Sequence, residues 1–129
     1  MNYDVLLLIG RLLFGGFFLK SGLSHFLKMS SMKSYAQSKG VPMPALAVGV
    51  SGIMLILAGI YIILGFLVVW AVVFIVTFLL ITSLKMHSFW SDSDATMKMM
   101  NKTQFMKNMA LIGAALMILS IPMPWLWSI

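Results

Sequence analysis

The chain has 129 residues, of which 61% are hydrophobic and only 9% are charged. A soluble domain of average composition is closer to a quarter charged, so this chain has too few polar residues for a water-facing surface, and a membrane protein is expected. Its net charge of +6 comes from basic residues that lie between long apolar runs, so no continuous basic surface is expected that could bind nucleic acid. The chain has no cysteine, which excludes disulfides, thiol catalysis and iron–sulfur clusters.

The first apolar segment, residues 3–27, is long enough to cross a bilayer, which requires about 20 residues. It nevertheless contains Arg11, Lys20 and His25, and ionisable side chains at membrane depth usually face a bundle interior or a functional site. On a helix of this sequence, Arg11 and His25 share one face with two glycines, whereas Lys20 lies on nearly the opposite face. We predict that Arg11 faces the bundle interior and that Lys20 extends towards the membrane surface.

Three further membrane-spanning helices are predicted. The uncharged run from residue 45 to residue 84 would form one helix of about 60 Å, twice the hydrocarbon thickness, so it must fold back on itself. Gly65 is the best turn residue, and it divides the run into spans 45–64 and 66–84. The fourth span is expected at residues 105–125, ended by two prolines and followed by an interfacial aromatic belt at Trp125 and Trp127.

Two polar segments, residues 28–44 and 85–104, connect these spans. Residues 32–38 and 95–101 are predicted as short surface helices within them. The positive-inside rule places both segments in the cytoplasm and both termini outside, in a multi-pass protein of the cell (inner) membrane. The basic residues on the cytoplasmic side are Lys28, Lys33, Lys39, Lys85, Lys98, Lys102 and Lys107. We therefore predict an all-α fold, a single integral membrane domain (1–129) built as a four-transmembrane-helix bundle.

The candidate ligand-binding residues lie mostly at the predicted cytoplasmic ends of the spans. His25 closes the first span, His87 and Trp90 follow the third, and Lys107 and Asn108 open the fourth. Because the two histidines are far apart and have no third ligand in a regular pattern, we predict no metal site. The glycines of the spans are interpreted as sites of close helix packing, and no catalytic residue is identified.

Arg11 is the sixth candidate, and it lies deeper than the others. In one interpretation it faces a cavity and binds an anion or a carbonyl-bearing ligand. In the other it pairs with Asp4 or extends outward to the membrane surface. The first interpretation makes Arg11 the most informative residue of the chain.

Three stretches of the sequence resemble the DoxX family. They are residues 11–22 (RLLFGGFFLKSG), residues 39–44 (KGVPMP), and residues 87–90 (HSFW) followed by residues 105–113 (FMKNMALIG). The resemblance implies a small, mostly prokaryotic four-span protein, related to a terminal quinol oxidase and to a thiosulfate:quinone oxidoreductase subunit. The chain departs from the family pattern at Leu55, where many members have Glu, and at Phe66, where many have a basic residue.

The resemblance implies a quinone-interacting accessory subunit of a membrane redox or oxidative-stress complex. The chain would have no cofactor of its own and would bind quinone with its candidate residues, so that it is at most a subunit of a quinone-linked oxidoreductase. An alternative is a non-catalytic scaffold whose basic loops bind another membrane or peripheral redox protein. A small transporter is less favoured, because no acidic residue lies inside the later spans to exchange protons. A homo-oligomer is compatible with all three.

Overall fold

The computed structural model describes residues 3–129, and these residues contain helices and turns but no strand. The elements in chain order are α1 (Asp4–Leu27), α2 (Met29–Ser38), α3 (Pro44–Leu64), α4 (Val68–Lys85), one 3-10 turn (Phe89–Ser91) and α5 (Ala95–Ile118). The three helices that begin at Asp4, Pro44 and Val68 are long and apolar enough to cross a membrane, and α5 packs beside them as a fourth long helix. The predicted all-α integral membrane bundle is confirmed.

The last helix departs most from its predicted bounds. A surface helix at residues 95–101 and a span at residues 105–125 were expected as separate elements, but the structure has one continuous helix. Asp94 begins this helix, because its carboxylate accepts a hydrogen bond of 3.0 Å from the N–H of Met97. The helix ends at Ile118 because Pro122 has no N–H to donate and its ring would clash with the carbonyl four residues earlier.

The helices are arranged in the order α1, α3, α4, α5, each packed on the next. Within the described chain, no Cα of α1 lies within 8 Å of a Cα of α4 or α5. The short helix α2 packs against α3 and covers one end of the bundle. A gap therefore separates α1 from α5, and it is bridged by side chains rather than by close helix contact.

Glycines bring α1 and α3 into close antiparallel contact. A Cβ added at Gly15 would lie 2.8 Å from the carbonyl oxygen of Gly59, and one at Gly22 would lie 2.7 Å from that of Gly52. The predicted close packing is confirmed at these four positions. At three other glycines, nothing lies within 4 Å of an added Cβ: Gly10, Gly16 and Gly113.

The turn between α3 and α4 lies at the predicted glycine. Gly65 has φ +67°, a left-handed conformation that side chains with a Cβ adopt at a cost. Gly65 also leaves room for the end of the chain, since an added Cβ would lie 2.7 Å from the Cβ of Ser128. The polypeptide after α5 therefore packs against the turn that joins α3 to α4.

Candidate functional site

A cavity of about 650 Å³ lies at the end of the bundle where α1 and α4 end and α3 begins. All five helices contribute residues to it, and α2 covers it with Tyr35 and Ala36. The hydroxyl group of Tyr35 donates a hydrogen bond of 3.4 Å to the carbonyl oxygen of Met86, which ties α2 to the end of α4. The walls are largely apolar and include Phe17, Phe18, Val50, Met54, Phe78 and Ile81.

The cavity brings together four of the six predicted site residues, His25, His87, Lys107 and Asn108. These residues come from α1, the loop after α4, and α5. Trp90 lies outside the cavity with its side chain exposed, and its ring is 5.8 Å from that of Phe105, edge to face. The expected contact of Trp90 with a bound ring stays a prediction.

His25 is buried, and its orientation is set by its own helix. Its Nδ1 lies 2.8 Å from the carbonyl oxygen of Ser21 one turn earlier. Because a carbonyl oxygen only accepts hydrogen bonds, Nδ1 carries the proton, and Nε2 of the neutral ring is an acceptor. The ring packs edge to face on Phe78, with 5.6 Å between the ring centres. Nδ1 of His25 is therefore bonded within its own helix, and Nε2 is the nitrogen that can accept a hydrogen bond from a ligand.

His87 is oriented by a short chain of hydrogen bonds from the opposite side. Its Nδ1 lies 3.3 Å from Oδ1 of Asn101, and Nδ2 of Asn101 donates a bond of 2.8 Å to Oδ2 of Asp92. Since a carboxylate only accepts, the amide nitrogen of Asn101 faces Asp92 and its oxygen faces His87. The proton of the neutral His87 ring is thus on Nδ1, as in His25. Both histidines have the same tautomer.

Asn101 and Asp92 are not among the predicted ligand-binding residues. Asp92 lies in the predicted polar segment 85–104, and Asn101 was predicted as the last residue of the surface helix 95–101. The signal that could have identified Asn101 is its spacing from Asn108, since residues seven apart share one face of a helix. Both asparagines are buried on the side of α5 that faces α4.

A polar contact inside the bundle joins α5 to α4. Nδ2 of Asn108 donates a hydrogen bond of 3.1 Å to Oγ of Ser83, and both side chains are buried. The neighbouring Lys107 donates from Nζ to Oε1 of Gln104 at 2.8 Å, and the same Nζ lies 5.9 Å from the ring centre of Phe17 on α1. Lys107 therefore extends across the gap between α5 and α1.

The charge of the cavity is one-sided. Lys28, Lys85 and Lys107 line it, and among the described residues that line it there is no Asp or Glu, the nearby carboxylate of Asp92 being bonded to Asn101. The polar end thus offers ammonium groups and two imidazoles, next to apolar and aromatic walls. Such a cavity fits an amphipathic ligand whose polar end carries carbonyl, hydroxyl or anionic oxygens.

Arg11 lies at the other end of α1, about 21 Å from His25 along the helix axis. Its side chain is 3% exposed, which confirms the prediction that it faces the bundle interior. Nη1 donates to the carbonyl oxygen of Leu126 at 2.6 Å, and Nη2 donates to those of Ile63 and Trp127 at 2.6 and 3.2 Å. These donors are therefore bonded to main-chain carbonyls, and Arg11 does not line the cavity. Ligand binding by Arg11 stays a prediction.

Lys20 is exposed on α1, away from the face that packs on α3. This position agrees with the prediction that its side chain extends outward. Metal-binding groups of three or more His, Cys, Asp or Glu side chains do not occur in residues 3–129.

No curated protein and no solved structure matches the chain. A family model described as DoxX matches residues 6–88, more than half of the sequence. The matched part begins in α1 and includes both cavity histidines, while α5 lies beyond it. With its helical bundle and its membrane-spanning helices, the chain belongs to the DoxX family of membrane proteins, as its sequence predicted.

Proposed function

We propose that this DoxX protein binds a quinone in the cavity as an accessory subunit of a membrane redox or oxidative-stress complex. The observation that carries the proposal is the matched pair of His25 and His87, each with Nδ1 held by a fixed acceptor and each lining one apolar cavity. The resemblance to quinone-linked relatives supports the class of ligand by analogy.

The chemistry of the two oxidation states suits these groups. A neutral imidazole with its proton on Nδ1 accepts a hydrogen bond at Nε2, so His25 and His87 can accept from the hydroxyl groups of a quinol. The ammonium group of Lys107 can donate to a carbonyl oxygen of the oxidised ring. Phe17, Phe18 and Phe78 offer aromatic surface for the ring itself. The chain binds and positions the ligand, and a partner subunit exchanges electrons with it.

The test is a titration of the purified protein in lipid nanodiscs with short-chain ubiquinone and menaquinone analogues. We expect saturable binding, weakened at least tenfold by His87→Ala or His25→Ala. Thr103→Ala is the control, because Thr103 is exposed and lies outside the cavity, so its substitution should leave affinity unchanged. If no quinone or quinol binds saturably to protein whose helical content is intact, the proposal is wrong.

We also infer that the cavity end of the bundle faces the cytoplasm of a cell membrane and that both termini lie outside. The support is the charge pattern, since the exposed lysines Lys33, Lys98 and Lys102 all belong to this end. Because the chain has no cysteine, single-cysteine variants report topology directly. We expect Ser34→Cys to be protected from a membrane-impermeant maleimide in intact cells and Ser128→Cys to react.

The surface of the first turns of α5 favours a second role, docking of a partner protein. Met97, Met99 and Met100 are exposed there, next to Lys98. Methionine surfaces adapt to varied partners, and an accessory subunit requires such a contact. Cross-linking in native membranes tests this, and a chain that is recovered only with itself would count against it.

A further inference from the structure

The basic end of the cavity carries more positive charge than the proposed quinone needs. Lys28 directly follows α1, and Lys85 is the last residue of α4. Both line the cavity, and neither ammonium group has a hydrogen-bond or ion-pair partner among the residues that the structure describes. A Cβ built on Gly40 would lie 3.7 Å from Nζ of Lys85, so this ammonium group lies against the turn after α2.

The surroundings leave that charge unbalanced. The lining of the cavity in residues 3–129 contains three lysines and two histidines but no carboxylate. A lysine near an anionic lipid surface contributes about 1 kcal/mol to binding, and proximity to a low-dielectric wall strengthens its attraction for an anion. An anionic ligand in the cavity would therefore meet an attractive charge and no repulsive carboxylate in the lining.

The position of these lysines indicates which anion reaches them. They lie where the membrane-spanning helices end and where the polar helix α2 begins, which is the level of lipid headgroups. From there the apolar wall continues along Phe18, Phe78 and Met54. The gap between α1 and α5 leaves this wall without close helix contact on one side. A molecule with a negative head and a long apolar body fits both parts of the cavity.

We infer that the cavity holds an anionic phospholipid, with its phosphate between Lys28 and Lys85 and an acyl chain along the apolar wall. This inference does not require quinone binding. It makes a resident lipid the ordinary occupant of the site and a quinone its competitor.

The test uses the full chain in bilayers that contain equal amounts of phosphatidylglycerol and phosphatidylcholine. After mild extraction, native mass spectrometry counts the lipid molecules that remain bound. We expect retention of phosphatidylglycerol over phosphatidylcholine by about 25-fold, which is about fivefold for each of the two lysines. The double variant Lys28→Gln/Lys85→Gln should reduce that preference by about fivefold for each lysine, which corresponds to ~1 kcal/mol apiece.

The matched control is Lys33→Gln/Lys98→Gln, which removes the same charge from exposed side chains outside the cavity. This control should keep the preference. Equal retention of the two lipids by the unmodified protein, or an equal loss in both double variants, would overturn the inference. Because both pairs are exposed and unpartnered, folding should be intact, and circular dichroism checks it.

A second arm separates this inference from the proposed function. Quinone added to the lipid-bound protein should displace phosphatidylglycerol. If the lipid preference is present and quinone displaces nothing, the lipid site stands and quinone binding in this cavity is contradicted. If quinone binds saturably while the protein shows no preference for phosphatidylglycerol, the lipid inference is wrong and the proposed function stands.

Discussion

Arg11 donates two hydrogen bonds to the carbonyl oxygen of Ile63, from Nη2 at 2.6 Å and from Nε at 3.1 Å. Ile63 belongs to the last turn of α3, where carbonyls have no partner within the helix. A cation at this end also balances the negative end of the helix dipole. The same guanidinium lies 5.6 Å from the ring centre of Trp125, which is buried.

The other carbonyls of this last turn are satisfied as well. The two residues that follow α3 donate their N–H groups to the carbonyls of Tyr61 and Ile62, at 3.0 and 3.3 Å. The carbonyl of Leu64 accepts from the N–H of Ile129 at 3.1 Å. Together with the guanidinium, these donors leave no carbonyl of the turn without a partner, which matters where water is scarce.

Arg11→Met should destabilise the fold by about 3 kcal/mol or more, since each buried carbonyl left without a donor costs ~1–3 kcal/mol. Arg11→Lys should recover only part of this, because one ammonium group cannot reach Ile63, Leu126 and Trp127 together. Thermal unfolding in detergent measures the effect. Lys20→Met, on the exposed side of the same helix, is the control, and an Arg11→Met protein as stable as that control would contradict the capping role.

The glycine contact between α1 and α3 predicts a matched pair of substitutions. Gly22→Ala places a Cβ 2.7 Å from the carbonyl oxygen of Gly52, so the helices must separate, and we expect a loss of about 1–3 kcal/mol. Gly16→Ala meets nothing within 4 Å and should be neutral or stabilising through helix propensity, by up to ~1 kcal/mol. Equilibrium unfolding of both variants in one detergent compares them. Equal stability would show that the close contact is not needed.

The contact between Asn108 and Ser83 predicts a measurable coupling between α4 and α5. Hydrogen bonds between membrane helices contribute about 0.6 kcal/mol on average and up to about 1.7 kcal/mol. A double-mutant cycle with Asn108→Ala and Ser83→Ala should give a coupling of about 0.5–1.5 kcal/mol. Additive effects of the two substitutions would mean that the contact contributes nothing.

Asn101 predicts a positioning effect on His87. Asn101→Ala removes the acceptor for Nδ1 of His87, so the ring is free to change tautomer and orientation. We expect a loss of quinone affinity of about tenfold, the lower range for partners that orient histidines at metal sites. Thr103→Ala, an exposed position on the same helix, is the control.

A spectroscopic readout keeps this test independent of the ligand. Nitrogen NMR of labelled histidine reports which ring nitrogen carries the proton. We expect the Nδ1–H form of His87 in the unmodified protein and a mixture in Asn101→Ala. If Asn101→Ala leaves both the His87 tautomer and the quinone affinity unchanged, Asn101 does not position His87.

The sequence predicted the inward face of α1 because helical periodicity alone determines which residues share a face. Arg11, Gly15, Phe18, Gly22 and His25 are the buried residues of that helix. What it did not predict is the partner of the guanidinium, since main-chain carbonyls brought close by tertiary folding leave no mark in the residue types. Nor did it predict that Trp125 is buried, because prolines and tryptophans near a helix end also fit an interfacial belt.

The bounds of α5 were predicted poorly for a related reason. Hydropathy changes between the polar stretch with Lys98 and Lys102 and the apolar residues that follow, so two elements were predicted. No proline or glycine lies between the two stretches, and the helix continues through both. The similar depth predicted for His25, His87, Lys107 and Asn108 agrees with their positions in the lining of one cavity. The role of Asn101 was not predicted, because it depends on the continuous helix that places Asn101 in contact with His87.

The contacts of Arg11 also bear on the order of events during biosynthesis. This charge enters the membrane with the first helix, but one of its carbonyl partners, Leu126, is 115 residues further along the chain. The ribosome must therefore synthesise the chain at least as far as Trp127 before the guanidinium has its full set of acceptors. Until then, the first helix carries a cation at membrane depth without all of its carbonyl partners, which is a costly state in lipid.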